Sequence, residues 1–331
     1  MGKYKIKLFI VMAFISINSF SQNREIKDWI YYLSSDSMKG RSNGSAELIT
    51  VSNWISKKLE YFDIKPFYKT YYQSYLYERK GKLIKERNVI GIINGSDKAH
   101  TDYVIISAHF DHIGIVKKEI DSICNGAEDN ASGIALLLSI AQQFKEKDFH
   151  PEKSIIFAFF SGEEHGLEGS NYFTQNIGID KKNILVNINF DMVGRSEFLG
   201  KKRFYISGYE YSNLFSIVNE FNKNKEWAID SSIGSFGDLL FRMSDNYSFV
   251  NGTDSLGIPA HTFGIALPDS TFLHKPNDEP QYIDYENLAS FSEYMFNLVN
   301  YLATENIEIN WIKDYNKKII IDMGEYKIKI N

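Results

Sequence analysis

Cysteine is almost absent: Cys124 is the only one among 331 residues, and proline occurs only 6 times. A lone thiol excludes an intrachain disulfide and a cysteine-based zinc site. Any metal must then be held by His, Asp and Glu. Positive charge is also in deficit, with 37 Lys and Arg against 42 Asp and Glu, for a net charge of −5. Lys3, Lys5 and Lys7 lie in a leader that has no acidic residue, so the remainder is more acidic still. An acidic body argues against nucleic acid or an anionic membrane as partner. No internal repeat, low-complexity tract or Pro/Gly/Ser-rich linker divides the chain. Past the leader, no apolar run approaches the roughly 20 residues of a membrane-spanning helix. What is present is 44% hydrophobic and 15% aromatic. That is enough for a large core and excludes a disordered or collagen-like chain.

Residues 1–21 read as a signal peptide. The three lysines form its basic region, Leu8 to Phe20 its apolar region, and Ser19-Phe20-Ser21 a small-x-small cleavage site that leaves Gln22 first. The apolar region is interrupted by Ser16, Asn18 and Ser19, and no cysteine is nearby to carry a lipid. The expectation is export to the periplasm or medium without stable membrane anchoring. Residues 22–309 are expected to form one domain. Residues 310–331 form an extension whose alternating β-branched and charged residues around Met323-Gly324 suit a terminal hairpin.

The periodicity predicts helices over Glu25–Leu33, Ala46–Tyr61, Gly133–Phe144, Ser212–Phe221 and Tyr285–Leu302. Near-continuous apolar runs predict covered strands at Tyr103–Ala108, Ser154–Phe160, Ile184–Phe190 and Ile258–Ile265. Tyr68–Tyr77, Asn88–Ile93 and Phe204–Ile206 add further strand candidates. Strands alternating with helices point to an α/β fold: a single domain with a mostly parallel central sheet flanked by helices.

Polar residues gather where the apolar runs stop. The first run ends at His109, Asp111 and His112, the second at Glu163-Glu164, the third at Asp191, and the loop before the Gly133 helix adds Glu128 and Asp129. Ligands of open α/β sheets bind at the carboxyl ends of the strands. Oxygen and nitrogen donors without sulfur suit zinc or a similar ion. A pair of ions needs a bridging carboxylate and a nearby base. Taken singly, each residue has a structural alternative. His109 could be a hydrogen-bonded strand-end residue, Glu163-Glu164 a solvated pair, Asp129 a helix cap and Asp191 the partner of Arg195. His100, His150 and His261 lack a comparable setting, and Cys124 reads as a loop thiol.

The segments Ser107-Ala108-His109-Phe110-Asp111-His112-Ile113-Gly114 and Gly126-Ala127-Glu128-Asp129-Asn130-Ala131-Ser132-Gly133 resemble the two-zinc exopeptidases typified by bacterial leucyl-type aminopeptidases. Phe160-Ser161-Gly162-Glu163-Glu164-His165-Gly166 and Asn189-Phe190-Asp191-Met192-Val193-Gly194-Arg195 continue the likeness in the same order, and Gly40-Arg41 and Asn88-Val89-Ile90-Gly91 look like its N-terminal part. The resemblance implies two Zn2+ ions. His109 and Asp191 would hold one, Glu164 and a late histidine the other, with Asp129 bridging. It implies Glu163 as general base, Asp111 as the residue orienting His109, and a cis peptide after Asp129. The late histidine is His274, in Phe272-Leu273-His274-Lys275-Pro276-Asn277-Asp278, in preference to His261.

Two departures stand out. Asn246 occupies the place of a His in Ser244-Asp245-Asn246, so a contact on the substrate side is expected to differ. The Ile93–Val104 interval is too short for the inserted domain that many relatives carry. The implied activity is release of N-terminal residues from a peptide or protein substrate. The alternatives are a glutaminyl cyclase-like enzyme and a non-catalytic peptide-binding module. The Glu163-Glu164 pair and the full ligand set favour the peptidase.

Overall fold

Alternation along the buried strands decides which layer each side chain joins. In Tyr103–His109, Val104, Ile106 and Ala108 pack into one core and Ile105 into the other. In Ser154–Phe160, Ile155, Phe157 and Phe159 likewise oppose Ile156, Ala158 and Phe160. Such strands need apolar residues on both faces, because a period of two sends successive side chains to opposite sides of the sheet. The protein is described by a computed structural model that covers residues 23–96, 101–117, 121–223, 226–251, 257–269, 271–313, 319–323 and 326–330. The expected leader and His100 lie outside the described residues.

In chain order, residues 23–33 form α1 and Ala46–Tyr61 forms α2, followed by β1 (Lys65–Pro66), β2 (Tyr72–Arg79), β3 (Lys82–Ile93), β4 (Tyr103–His109), β5 (Gly114–Ile115) and β6 (Ile123–Cys124). Then come α3 (Gly133–Glu146), β7 (Ser154–Phe160), α4 (Glu168–Gln175), β8 (Ile184–Phe190), β9 (Arg203–Ile206), α5 (Leu214–Asn222), β10 (Ala228–Ile229), α6 (Gly234–Phe241) and α7 (Asn246–Asn251). The chain closes with β11 (Ala260–Gly264), α8 (Tyr285–Thr304), β12 (Ile319–Met323) and β13 (Tyr326–Ile330). The last two pair antiparallel. Among the described residues, no helix is long and apolar enough to cross a membrane.

The central sheet runs β1-β3-β7-β4-β8-β11-β9-β10, with β2 also on β3. Its centre, β7-β4-β8-β11, is parallel. The flanks are antiparallel, β3 against β7 and β9 against β11. The sheet is therefore mixed: its four central strands have the expected parallel order, and β10 also runs parallel to β9 at the far edge. One core holds α1, α2, α3 and α8 against the sheet, and the other holds α4, α6 and α7. The carboxyl ends of β4, β7 and β8 emerge together at one edge, which is what places the next residues of each strand side by side.

Candidate metal centre

His109 closes β4, Asp191 follows β8 directly, and Glu163 and Glu164 lie in the turn after β7. Asp129 comes from the tight 127–132 turn before α3, where the Asp129–Asn130 peptide is cis, as the resemblance implied. His274 comes from the loop after β11. His109 Nε2 is 3.3 Å from Asp129 Oδ1 and 3.6 Å from Asp191 Oδ1. His274 Nε2 is 3.3 Å from Asp129 Oδ2 and 3.1 Å from Glu164 Oε2. The two oxygens of Asp129 thus face two different groups. Metal bonds of about 2.0–2.1 Å set neighbouring ligand atoms about 3.3 Å apart in a tetrahedral site. These separations and the N/O donor set fit two zinc ions sharing Asp129. Among the described residues, the donor atoms of His109, Asp129 and Asp191 cluster tightly, and so do those of His112, Asp129 and Glu164, which puts His112 beside His274 as a nitrogen donor of the second group.

The charges agree with that fit. Burial would raise the Asp129 carboxyl, but His112, His109 and His274 outweigh it and hold it well below the usual range. Burial disfavours a charged His109, yet Glu163, Asp129 and Asp191 together push it well above the ordinary imidazole value. Hydrogen bonds to Asp129 and Glu164 bring His274 up to about 10. In the metal-free protein, protons on His109 and His274 supply positive charge that the carboxylates demand. Glu163 is held well above the usual carboxylate range by burial, then by the negative charges of Glu164, Asp245 and Asp191, against the opposing pull of His109.

Asp111 sits differently from expectation. His109 Nδ1 donates to the backbone oxygen of Asp111 at 3.2 Å, while the nearer carboxylate oxygen is 3.8 Å away. The carboxylate instead accepts from the backbone N–H of Glu163 and of Glu164, both at 3.2 Å, and from Asn43 Nδ2 at 2.7 Å. It fixes the turn that carries both glutamates. Glu128, next to Asp129, turns away from the centre to accept the Gly194 N–H at 3.0 Å. Asp191 leaves Arg195 to Glu197 and accepts from Ser244 Oγ at 2.7 Å.

Three supporting residues were not assigned from sequence. Asp278 accepts the backbone N–H of Glu128 at 2.9 Å and of Asp129 at 3.0 Å, clamping the Asp129 turn. His112 is buried against Glu164 and Asp129. Arg41 is fully buried and donates to four carbonyls, those of Phe110, Leu33, Asn125 and Gly126, at 3.0, 2.7, 2.8 and 2.8 Å. A histidine beside the His109 motif and an Asp beside His274 were the available signals; an acceptor for backbone N–H groups leaves no periodic trace. Arg41→Met would leave buried carbonyls unpaired at about 1–3 kcal/mol each. The expected result is a stability loss on the order of 4 kcal/mol, read from urea unfolding at pH 7.

Asn246 is not on the substrate side: it is wholly buried, donating to the Phe241 carbonyl and accepting from Thr262 Oγ1. A side chain pointing into the protein is free to differ from the usual His without touching a ligand. His261 is a core residue hydrogen-bonded to Ser212 and to the Ser207 carbonyl, and His150 pairs at the surface with Asp148. Cys124 is buried beneath the His274 loop, its thiol 3.6 Å from the His274 carbonyl.

A cleft of about 470 Å³ opens onto the centre, with Glu163 and Glu164 in its wall. Leu167, Met192, Tyr205, Leu240, Met243 and Leu273 give it an apolar lining.

The family model described as Peptidase family M28 matches residues 88–299. Aminopeptidase YwaD of Bacillus subtilis is 28% identical over 214 residues, covering 61% of this chain and 41% of that protein. This chain therefore spans less than half the length of the curated relatives it matches. Among solved structures, a zinc aminopeptidase from Bacillus subtilis superposes with a TM-score of 0.67 at 15% identity, over 86% of this chain and 96% of that one. A glutaminyl cyclase from Porphyromonas gingivalis gives 0.61 at 18% identity, over 85% and 98%. These structural likenesses establish the fold.

Proposed function

Because the chain belongs to peptidase family M28, we propose that it is an exported aminopeptidase that removes N-terminal residues from peptides at a two-zinc centre. The observation that carries this reading is Asp129, whose two oxygens face separate imidazole–carboxylate groups beside Glu163 in a cleft wall. His109, Asp129 and Asp191 would hold one zinc, and Asp129, Glu164 and His274 the other. Bound there, the ions supply Lewis acidity to a water and to the scissile carbonyl.

The remaining chemistry belongs to the chain. Glu163 takes the proton of the attacking water and passes it to the leaving amine, a task suited to a carboxyl whose proton affinity is raised. Asp111 keeps Glu163 and Glu164 in register by holding both of their backbone N–H groups. The apolar lining favours an apolar side chain on the residue released.

The test uses protein beginning at Gln22 and a peptide set, half with blocked N-termini, followed by mass spectrometry with zinc and with a chelator. Zinc-dependent loss of single residues from free N-termini is expected, with N-terminal leucine leaving on the order of 10-fold or more faster than aspartate. Cleavage of blocked peptides would point to another peptidase type. Loss of ammonia from N-terminal glutamine would establish the cyclase, and intact peptides despite bound zinc the binding module.

A further inference from the structure

We propose that the Tyr205 hydroxyl is a specificity-determining group of the cleft: it meets the far end of the released residue's side chain and admits an uncharged amide that an all-apolar wall would reject. This rests on the aminopeptidase reading above and narrows its substrate class. Tyr205 lines the cleft together with Met192, Leu240 and Leu273. It is only 3% exposed, and its ring packs with Ile233, Leu240 and Leu267. A buried phenol usually finds a hydrogen-bond partner. Among the described residues the Tyr205 hydroxyl has none.

The strand opposite sets its place. Tyr205 on β9 faces Gly264 on β11. The ring lies across that glycine: a Cβ built there would come within 2.3 Å of the hydroxyl oxygen and 2.4 Å of Cζ. Any side chain at 264 would push the phenol out. The other hydroxyls of the cleft wall are committed. Ser244 Oγ donates to Asp191 Oδ2 at 2.7 Å, and Thr262 Oγ1 donates to Asn246 Oδ1 at 2.8 Å. Tyr205 therefore supplies the one hydroxyl of that wall whose donor and acceptor both remain open. Leucine filling the wall would shut this group from water with nothing to bond, at the cost of a stranded buried polar group. Asparagine has leucine's shape and brings an oxygen and an N–H that a phenol can pair. Aspartate, the same shape again, would bring a charge into an apolar wall.

The experiment compares kcat/KM for release of N-terminal leucine and asparagine from otherwise identical peptides, and of methionine and glutamine as a longer pair. It uses zinc-loaded wild type and Tyr205→Phe, with products identified by mass. In the wild type, the amide member of at least one pair is expected to leave within a few-fold of its apolar counterpart. In Tyr205→Phe that amide-to-apolar ratio should fall by about 10-fold or more, the apolar residue gaining and the amide losing. Each ratio is taken within one preparation, so it does not move with the fraction of folded or metal-loaded enzyme. A purely structural role of the hydroxyl would lower both members of a pair alike. Urea unfolding gives a reading independent of activity: Tyr205→Phe should be no less stable than wild type, because no internal hydrogen bond is lost. A lower midpoint would mean that the hydroxyl serves the fold. An unchanged ratio, equal losses within each pair, or a wild type that rejects both amides as strongly as aspartate overturns the assignment and leaves the aminopeptidase standing. Wild-type protein that releases no residue from any peptide overturns both.

Discussion

Glu163→Gln is expected to lower kcat by about 100- to 10,000-fold, the span typical of a lost general base, while zinc content stays at the wild-type level. Glutamine matches glutamate in size and keeps its backbone N–H on Asp111, so the turn carrying Glu164 stays in place. What it loses is the ability to receive a proton. None of the short donor contacts that define the two metal groups includes Glu163, which is why the ions should remain. KM should change little, because on the proposed reading the cleft lining and the ions would hold the substrate. Metal analysis beside steady-state kinetics decides the matter. Full activity would remove Glu163 from the proton transfer, and loss of zinc would make it a ligand instead.

Asp129→Ala should take the bound zinc from two ions per chain to none after dialysis, and peptide turnover to the detection limit. Asp129 is the only residue common to both groups, so its removal takes a ligand from each ion and the negative charge between them. The same residue shapes the metal-free protein. The His274 value is raised from 6.5 to about 10 in the folded state. The stability it contributes is therefore complete below the unfolded value of about 6.5 and fades as pH rises through about 10. The Asp129 value is depressed, so its contribution holds above about 3.8 and fades as pH falls through the lower folded value. In a chelator, urea unfolding of the wild type should weaken from pH 6.5 towards pH 10, and Asp129→Ala should show a flatter profile. A flat wild-type profile would mean that the imidazoles carry no proton in the metal-free state.

The parts of this protein that could be read from sequence are those where one physical demand dominates. Ser154–Phe160 and Ile184–Phe190 keep their expected bounds because each is a buried run closed by polar residues; the second also carries Asn187 and Asn189, buried and donating to Ser107, Ser244 and Thr262 hydroxyls. The residues that follow them stand out for the same reason. The antiparallel flanks were harder. β3 begins at Lys82, six residues before the apolar stretch, since its first half pairs with β2 while facing solvent. α4, α6 and α7 were missed because each spans 8 residues or fewer and two of them contain glycine. They sit beside the cleft, so its lining could not be read in advance. All five ligand candidates converge in space, but the frame around them was hidden. Asp278 works by accepting backbone N–H groups, and Asn246 could be placed away from the substrate only once its partners were known.

The matched family region starts at residue 88 and ends at residue 299, and every candidate ligand falls within it. Arg41 does not. Its guanidinium ties Leu33 at the end of α1 to Phe110, Asn125 and Gly126, which flank His109 and the Asp129 turn. A fragment trimmed to the matched region would contain every candidate ligand and Glu163 and lack the strut that sets the spacing between two of the loops bearing them. The smallest unit able to work therefore reaches upstream to α1, and silence from a shorter fragment would report on a missing brace rather than on the chemistry.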